Sequence, residues 1–480
     1  MTNIWKDTTN LGEYPKLTVK KKCDVVVIGG GITGLLVAYK LQKSNKQVIL
    51  LEANTIASGQ SSKTTAKITY LHNLIYDSMI KNVSLQGAKQ YVDANKQTID
   101  EYEEIINELK IDCDFKRCSS VLYTHLDTNK ILKEKKALDQ LNIDSTIVHE
   151  IEIPIDIKAG LKVDNQAVFN PLKFMDGLSK ELNIYENSKV IKVEDNVVYT
   201  KEGEVEATQI VFATHFPIRD VPGFYFLRMH QERSYVVAIS NVANIKDTYY
   251  CIDKDTLSFR GYDNSILVGG EKHRTGENSK GNRYKKLTDK AKAIWPNCKV
   301  ECEWSAQDCM SIDKIPYIGQ YSKGKPNWYV ASGYNKWGMT TSLVAANIIT
   351  NMICDIDYSK YDVFNSLRFN VKASYKDMYE QTRQTIKAVY RENLVLPNDT
   401  LDQLPRGHGG IIDYDNNKIG VYKDENDEYY LVNTRCPHLG CQLEWNPDDL
   451  SWDCPCHGSR FSYKGELIDN PAQEDLNEKG

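Results

Sequence analysis

Residues 24–51 constrain the fold of this chain more tightly than any other stretch. Asp24-Val-Val-Val-Ile28 is a short apolar run rich in β-branched residues, and Gly29-Gly-Gly-Ile-Thr-Gly34 follows at once. From Leu35 to Ser44 the apolar residues Leu35, Leu36, Ala38, Tyr39 and Leu41 recur at helical spacing. Val48-Ile-Leu-Leu51 is a second buried strand, closed by Glu52. The pattern is a βαβ unit of about thirty residues. Gly29 allows the tight turn, Gly31 lets a pyrophosphate approach the backbone, and Gly34 lets helix and strand pack closely. The helix N-terminus offers free N–H groups and the positive end of its dipole to phosphates. Glu52 is placed to accept hydrogen bonds from ribose hydroxyls. The unit predicts a dinucleotide site, with FAD and NAD both open on the motif alone.

The 480 residues suffice for two to three domains. Lys+Arg is 60 and Asp+Glu 65, a net charge of −5, which disfavours nucleic acid or an acidic membrane as partner. Charged residues are 26% and hydrophobic ones 41%, the profile of a folded chain. No window approaches ~18–20 uninterrupted apolar residues, so no transmembrane helix is expected. The start, Met1-Thr-Asn-Ile-Trp-Lys-Asp, has no basic region followed by an apolar stretch, and the expected location is the cytoplasm.

Residues 76–110 read as mostly helical and charged. Between 111 and 300, short strands such as Val190-Ile-Lys-Val193, Gln209-Ile-Val-Phe-Ala213 and Ser265-Ile-Leu-Val268 alternate with turns. From Asn327 the pattern returns to strand, glycine loop and helix. A charged helical stretch, roughly 369–392, leads to a turn-rich C-terminal segment that reads as an independent small β domain.

Eight of the twelve cysteines are scattered from Cys23 to Cys354 and read as reduced, mostly buried thiols. The other four lie in Cys436-Pro-His438-Leu-Gly-Cys441 and Cys454-Pro-Cys456-His457-Gly-Ser459, with the twelve residues 442–453 between. Each box offers a thiolate and an imidazole. A zinc finger usually pairs two cysteines in one knuckle and two histidines in another. Two mixed boxes suit a Rieske [2Fe–2S] cluster, with Cys436 and Cys454 on one iron and His438 and His457 on the other.

The segment from about 395 to 480, ending in Gly465-Glu-Leu-Ile-Asp-Asn-Pro-Ala472, resembles the Rieske proteins of quinol-oxidising respiratory complexes. The resemblance implies a disulfide between Cys441 and Cys456 and a hydrogen bond from Ser459 to a cluster sulfur. It also implies one departure, Phe461, where those proteins carry a tyrosine.

The stretch from the N-terminal lead-in to about residue 365 resembles the D-amino-acid-oxidase-like flavoproteins, glycine and sarcosine oxidases among them. The residues that carry the resemblance are the βαβ unit, Ser58-Gly-Gln-Ser-Ser-Lys-Thr-Thr-Ala-Lys67, Ala213-Thr214, Val268-Gly-Gly-Glu-Lys-His-Arg-Thr-Gly276, Asp313-Lys-Ile-Pro-Tyr-Ile-Gly319 and Gly333 to Thr340. It implies FAD, held by Ser61, Ser62, Thr64 and Thr65, by the backbone of Val190 on the adenine side, and by Gly338, Met339 and Thr340. Some members attach the flavin to a cysteine. Here Ala306 aligns with that position and the nearest cysteine is Cys309, so a non-covalent FAD is expected.

The expected architecture is an α/β doubly wound FAD-binding domain with a mixed, largely antiparallel substrate domain, plus a small all-β Rieske domain. The oxidoreductase spans 1–365, with FAD-binding segments at about 20–75, 165–220 and 305–355. A helical linker follows at 366–394, then the Rieske domain at 395–480. A flavin accepts two electrons and releases them singly, and a [2Fe–2S] cluster carries one. The expected function is an FAD-dependent dehydrogenase of a small amine or amino acid, passing electrons to an external one-electron acceptor, a protein or a quinone. Another donor, such as a 2-hydroxy acid, and an electron-transfer module without its own organic substrate are the alternatives. Sarcosine-type oxidases carry an oxygen-activating lysine where Leu267 aligns, which favours a dehydrogenase. Arg233 and Arg260 could hold a substrate carboxylate, and His273 and Tyr334 are further site candidates.

Overall fold

The computed structural model describes residues 3–6, 8–254, 257–370, 374, 379–380, 383, 404–414 and 417–476. Most of the expected helical linker lies outside the described residues.

The β-branched run Lys20–Ile28 lies at the centre of a sheet, with Val48–Leu51 parallel to it on one side and Glu204–Phe212 parallel on the other. The sheet continues through Lys325–Ser332, parallel to Glu204–Phe212, to Tyr317–Ser322 at one edge, and reaches Ile184–Tyr185 at the other. Val25, Val26 and Val27 have no exposed surface, which is why this strand reads as a continuous apolar run and not as an alternation. Helix Ile32–Lys43 packs on the sheet and against helix Gly338–Ile353. Gly34 permits this approach, since a Cβ there would sit 1.8 Å from the Gly29 carbonyl oxygen. This is the doubly wound half.

Among the described residues, a second sheet has nine strands and is mixed but largely antiparallel, as expected. Its long members are Lys299–Ser311, Met229–Ser240 and Ser265–Arg274, with the middle one hydrogen-bonded to both others. Thr248–Cys251 runs parallel to Lys116–Thr124 and joins the two halves. Strand Lys67–Ile68 at the far edge carries the chain directly from the dinucleotide half into this sheet. Helix Leu85–Leu109, capped by the Ser84 hydroxyl that accepts from the Gly87 N–H, packs against helix Gly338–Ile353 of the dinucleotide half.

The C-terminal domain is all β. His408–Tyr414, Asn417–Lys423 and Tyr429–Asn433 form one antiparallel sheet. Glu444–Asn446, Ser451–Asp453, Arg460–Ser462 and Leu467–Asp469 form another. Trp445, Trp452, Leu443, Val432 and Phe461 fill its core together with Cys436 and Cys454. This domain is seated against the long strands of the second sheet. Arg274 donates to the carbonyls of Pro455 and Cys456, both at 3.0 Å, and Asn278 donates to Asn446 and Asp448, both at 2.8 Å.

Candidate flavin and iron–sulfur sites

A cavity of 690 Å³ opens where the two larger sheets meet. The glycine turn forms one end. Gly29 is held at φ +112°, and a Cβ on it would lie 2.5 Å from the Ala213 carbonyl oxygen. At Gly31 a Cβ would point 3.0 Å from the Ser61 hydroxyl. Both positions therefore keep a side-chain-free floor at the N-terminus of helix Ile32–Lys43, whose first N–H, that of Ile32, donates to Ser61 at 3.0 Å. Glu52 accepts from the Gly30 N–H at 2.7 Å and from Asn54 at 2.8 Å, and burial raises its carboxyl above the usual range. This glycine-floored cradle and its acidic end fit the pyrophosphate and ribose of a dinucleotide.

Of the residues expected to hold FAD, Gly29, Gly31, Glu52, Ser61, Thr64, Thr65, Val190, Gly338 and Met339 line the cavity. Three do not. Gly34 packs helix on strand, the Ser62 hydroxyl donates to the Gly59 carbonyl at 3.0 Å, and Thr340 bonds His72 at 3.1 Å and Thr69 at 3.2 Å. Ala306 and Cys309 are both on the wall. Burial pushes the Cys309 thiol up to about 12, which leaves it a poor nucleophile.

The other end of the cavity is lined by Ser234, Tyr250, Lys272, Asp308, Tyr334, Lys336 and Trp337. Lys336 donates to Ser234 at 2.9 Å and to Asp308 at 3.2 Å, and pairs with Glu232 at 3.2 Å. Against the pull of burial, those two carboxylates hold the ammonium well above its ordinary range. Lys67 also reaches the cavity, and among the described residues nothing bonds its Nζ. Burial, and then the Arg260 guanidinium, bring it down to about 7.

Tyr334 is the one substrate candidate from the sequence that lines this space; its hydroxyl oxygen accepts from the Thr33 hydroxyl at 3.2 Å. The others are engaged elsewhere. Arg233 is 1% exposed and pairs with Asp449 of the C-terminal domain at 2.6 Å. Arg260 donates to the carbonyls of Thr65 and Phe169 and stacks on Trp5. His273 lies against Tyr235, with its Nε2 3.1 Å from the phenol. Leu267 is wholly buried in the core behind the strand, and that strand brings Lys272 to the cavity instead. Lys67, Lys272, Asp308 and Lys336 were missed in the sequence. Lys67, Lys272 and Lys336 stood inside stretches that carry the resemblance, Lys336 in the glycine loop before the last long helix, and Asp308 stood outside them.

The two C/H boxes fold into twin loops. In the first, the Gly440 N–H donates to Cys436 O at 2.9 Å, and in the second the Gly458 N–H donates to Cys454 O at 3.0 Å. Both glycines take positive φ, +76° and +87°, which a side chain would resist. Cys441 and Cys456 are joined by a disulfide across a Cα–Cα distance of 6.6 Å, tying loop to loop. The Sγ atoms of Cys441, Cys454 and Cys456 lie within 4.8 Å of one another, so the bridge sits beside a ligand cysteine.

The donor set fits a Rieske cluster. The Nδ1 atoms of His438 and His457 are buried with no hydrogen-bond partner, while the two rings stand 5.0 Å apart. An orphaned pair of this kind needs a ligand. Cys436 and Cys454 share a hydrogen bond. That bond brings the Cys454 thiol down to about 7 and raises Cys436. Burial lowers His457 to about 3, the neutral form a metal requires. The Ser459 hydroxyl lies beside Cys436, where it lowers that thiol, and accepts from the Ala472 N–H at 3.0 Å. Phe461 is fully buried opposite Trp452.

The sequence matches the DAO family, FAD dependent oxidoreductase, over residues 24–352, and the Rieske [2Fe-2S] domain over residues 395–478. The chain belongs to the DAO family of FAD-dependent oxidoreductases. It carries a C-terminal Rieske domain, and with it FAD and one [2Fe–2S] cluster. YhfW of Bacillus subtilis (strain 168), described as a Rieske 2Fe-2S iron-sulfur protein, is 33% identical over 98% of this chain and 96% of its own length. A second DAO-type relative is the gamma-glutamylputrescine oxidoreductase of Escherichia coli (strain K12). It is 22% identical over 72% of this chain and 86% of its own length. The glycine oxidase of Geobacillus kaustophilus superposes with a TM-score of 0.63 at 16% identity, covering 73% of this chain and 99% of that one. Among the described residues no helix is long and apolar enough to cross a membrane.

Proposed function

We propose that this DAO-family protein is a dehydrogenase of a small amine or amino acid. Its electrons leave the flavin one at a time through the Rieske cluster to an external one-electron acceptor, and it works in the cytoplasm with non-covalent FAD. One observation carries the reading. Leu467 to Asn470, Ala472 and Gln473 of the Rieske domain line the same cavity as the glycine turn, so the domain that carries the cluster loops closes one wall of the flavin cavity. The names of the relatives, a gamma-glutamylputrescine oxidoreductase and a glycine oxidase, support a donor with a C–H bond next to nitrogen.

The chain's own residues supply three things. Tyr250, Tyr334 and Trp337 form an aromatic box that excludes water from the substrate end. Asp308, paired to Lys336, offers a carboxylate to a substrate ammonium. Lys67, neutral above about pH 7, can accept the proton that an ammonium must lose before its nitrogen lone pair is available. FAD supplies the hydride acceptor, and the cluster supplies the one-electron outlet.

The test is anaerobic mixing of the holoenzyme with a panel of amines, amino acids and 2-hydroxy acids. Bleaching of the flavin by an amine or amino acid, followed by the EPR signal of a reduced cluster, is the expected result. Bleaching by hydroxy acids alone would reassign the donor. A flavin bleached only by a reduced protein would make the chain an electron-transfer module.

A further inference from the structure

Between the cavity and the second cluster loop stand two buried glutamines: Gln307, on the cavity wall, donates to the Gly458 carbonyl at 2.8 Å, and Gln231 beside it reaches the carbonyl of the ligand His457 itself. Gln231, on strand Met229–Ser240, is 1% exposed and does not line the cavity itself. The two hydrogens of its amide nitrogen are shared among three carbonyls of the Rieske domain: Asn470 at 2.8 Å, His457 at 3.0 Å and, more weakly, Gly458 at 3.3 Å. Its amide oxygen accepts from Gln307 Nε2 at 2.8 Å and lies 3.1 Å from His215 Nε2. His215 and Gln307 are both on the cavity wall. Five partners on two domains fix which end of the amide is which. An oxygen facing three carbonyls would have no donor. His215 must then hold its proton on Nε2, because a carbonyl oxygen only accepts.

The packing repeats the message. A Cβ on Gly458 would lie 2.5 Å from the Gln231 Cβ, so glycine at this point of the cluster loop lets the bridge come close. From the cavity wall to the backbone of the ligand His457 there are two hydrogen bonds and one amide plane. Electronic coupling decays more slowly along bonds and hydrogen bonds than across van der Waals gaps.

We propose that Gln231 is the bridge along which electrons cross from the flavin cavity to the Rieske cluster. The proposal rests on the internal electron transfer argued under Proposed function. Two electrons arrive from the substrate C–H bond and cross singly. Each crossing oxidises the flavin by one electron and reduces the iron pair by one. An external one-electron acceptor reoxidises the irons between crossings, and the flavin's proton goes to water. No protein group changes its own redox state.

The experiment is flash photoreduction of the flavin in the full-length holoenzyme, with the arrival of the electron at the cluster followed optically. Two variants are compared with the parent. Gln231→Met keeps the volume and loses all five hydrogen bonds. Gln231→Glu keeps the acceptor on the cavity side and loses the donors to His457, Gly458 and Asn470. The expected result is flavin-to-cluster transfer slowed by roughly tenfold or more in both variants. The cluster's EPR spectrum and midpoint, and the rate of flavin reduction by substrate, should stay as in the parent. Unchanged transfer in a variant that holds both cofactors would overturn the bridge and leave the function standing. Slowing accounted for by a shifted midpoint would likewise overturn it, since the cause would be driving force. A parent enzyme whose reduced flavin never reduces the cluster would overturn both.

Discussion

The Asp220 carboxylate reaches out of the oxidoreductase body to His438 of the cluster loop, with its two oxygens 2.9 and 3.0 Å from Nε2. The orphaned Nδ1 faces the cluster site, so Nε2 carries the proton and donates. Phe226 of the same body segment stands edge-on to both histidine rings, at 6.2 Å from His438 and 5.6 Å from His457. The histidine edge of the cluster is thus held by the flavoprotein domain. A negative charge on a ligand's outer nitrogen disfavours an added electron. Asp220→Asn should therefore raise the cluster midpoint by several tens of millivolts, on the order of 50 mV for one electron. An EPR-monitored redox titration reads the shift, and a lowered midpoint would contradict this account.

Ser459 tunes in the other direction, and Phe461 marks a place where a second hydroxyl is missing. Reduction adds negative charge to the sulfurs, and the Ser459 hydroxyl, which already lowers the Cys436 thiol, is placed to stabilise that charge. A hydrogen bond to a charged acceptor is worth roughly 1.5 kcal/mol, about 60 mV for one electron on the scale of 59 mV per tenfold. Ser459→Ala should lower the midpoint by that order, and Phe461→Tyr, which adds a hydroxyl in the buried core beside the cluster, should raise it. If Phe461→Tyr folds with an intact cluster at the parental midpoint, Phe461 serves packing alone.

Cofactor content gives the simplest check. Denatured protein should release one FAD per chain, and the native protein should hold two irons. His457→Ala should abolish transfer to a one-electron acceptor while the flavin is still reduced by substrate. Acceptor turnover that survives cluster loss would show another outlet.

The disulfide is testable without any cofactor chemistry. Native protein alkylated without reductant should leave Cys441 and Cys456 unmodified and linked, as peptide mass spectrometry would read. Both residues alkylated before reduction would reject the bridge in the isolated protein.

Lys67 sets a pH dependence. Its folded-state value is about 7, so the amine is charged below and neutral above. Flavin reduction by substrate should quicken as pH rises through about 7, and Lys67→Met should remove that step from the pH profile. A step that persists in the variant belongs to another group.

What the sequence revealed is what it encodes locally. Gly29, Gly31 and Gly34 lie within six residues, and each cluster loop closes on its own cysteine and glycine, so both sites could be read from spacing. The residues that join the sites could not. Asp220 is 218 positions from His438, and Gln231 is 226 from His457. Such pairs are brought together only when the Rieske domain seats on the long strands of the second sheet. Arg233 shows the same limit. A buried arginine suits a substrate carboxylate, yet the carboxylate it meets is Asp449, 216 residues on. Leu267 and Lys272 share one strand, and only the registered sheet shows that Lys272, not residue 267, reaches the cavity.

The cavity wall contributed by residues 467–473 has a consequence for how the molecule is put together. Gln60 donates to Asp469 at 2.7 Å, Lys189 donates to the Gln473 carbonyl at 2.7 Å, and Asn470 donates to Thr214 and Phe216 at 2.9 and 2.8 Å. These bonds stitch a later-synthesised stretch of the chain over a site built by an earlier one. A ribosome delivers the glycine cradle long before the segment that closes it, so loading has a natural order: FAD enters an open cleft, and the iron-bearing domain then shuts it in. A holoprotein assembled this way would exchange its flavin only by undocking the Rieske domain.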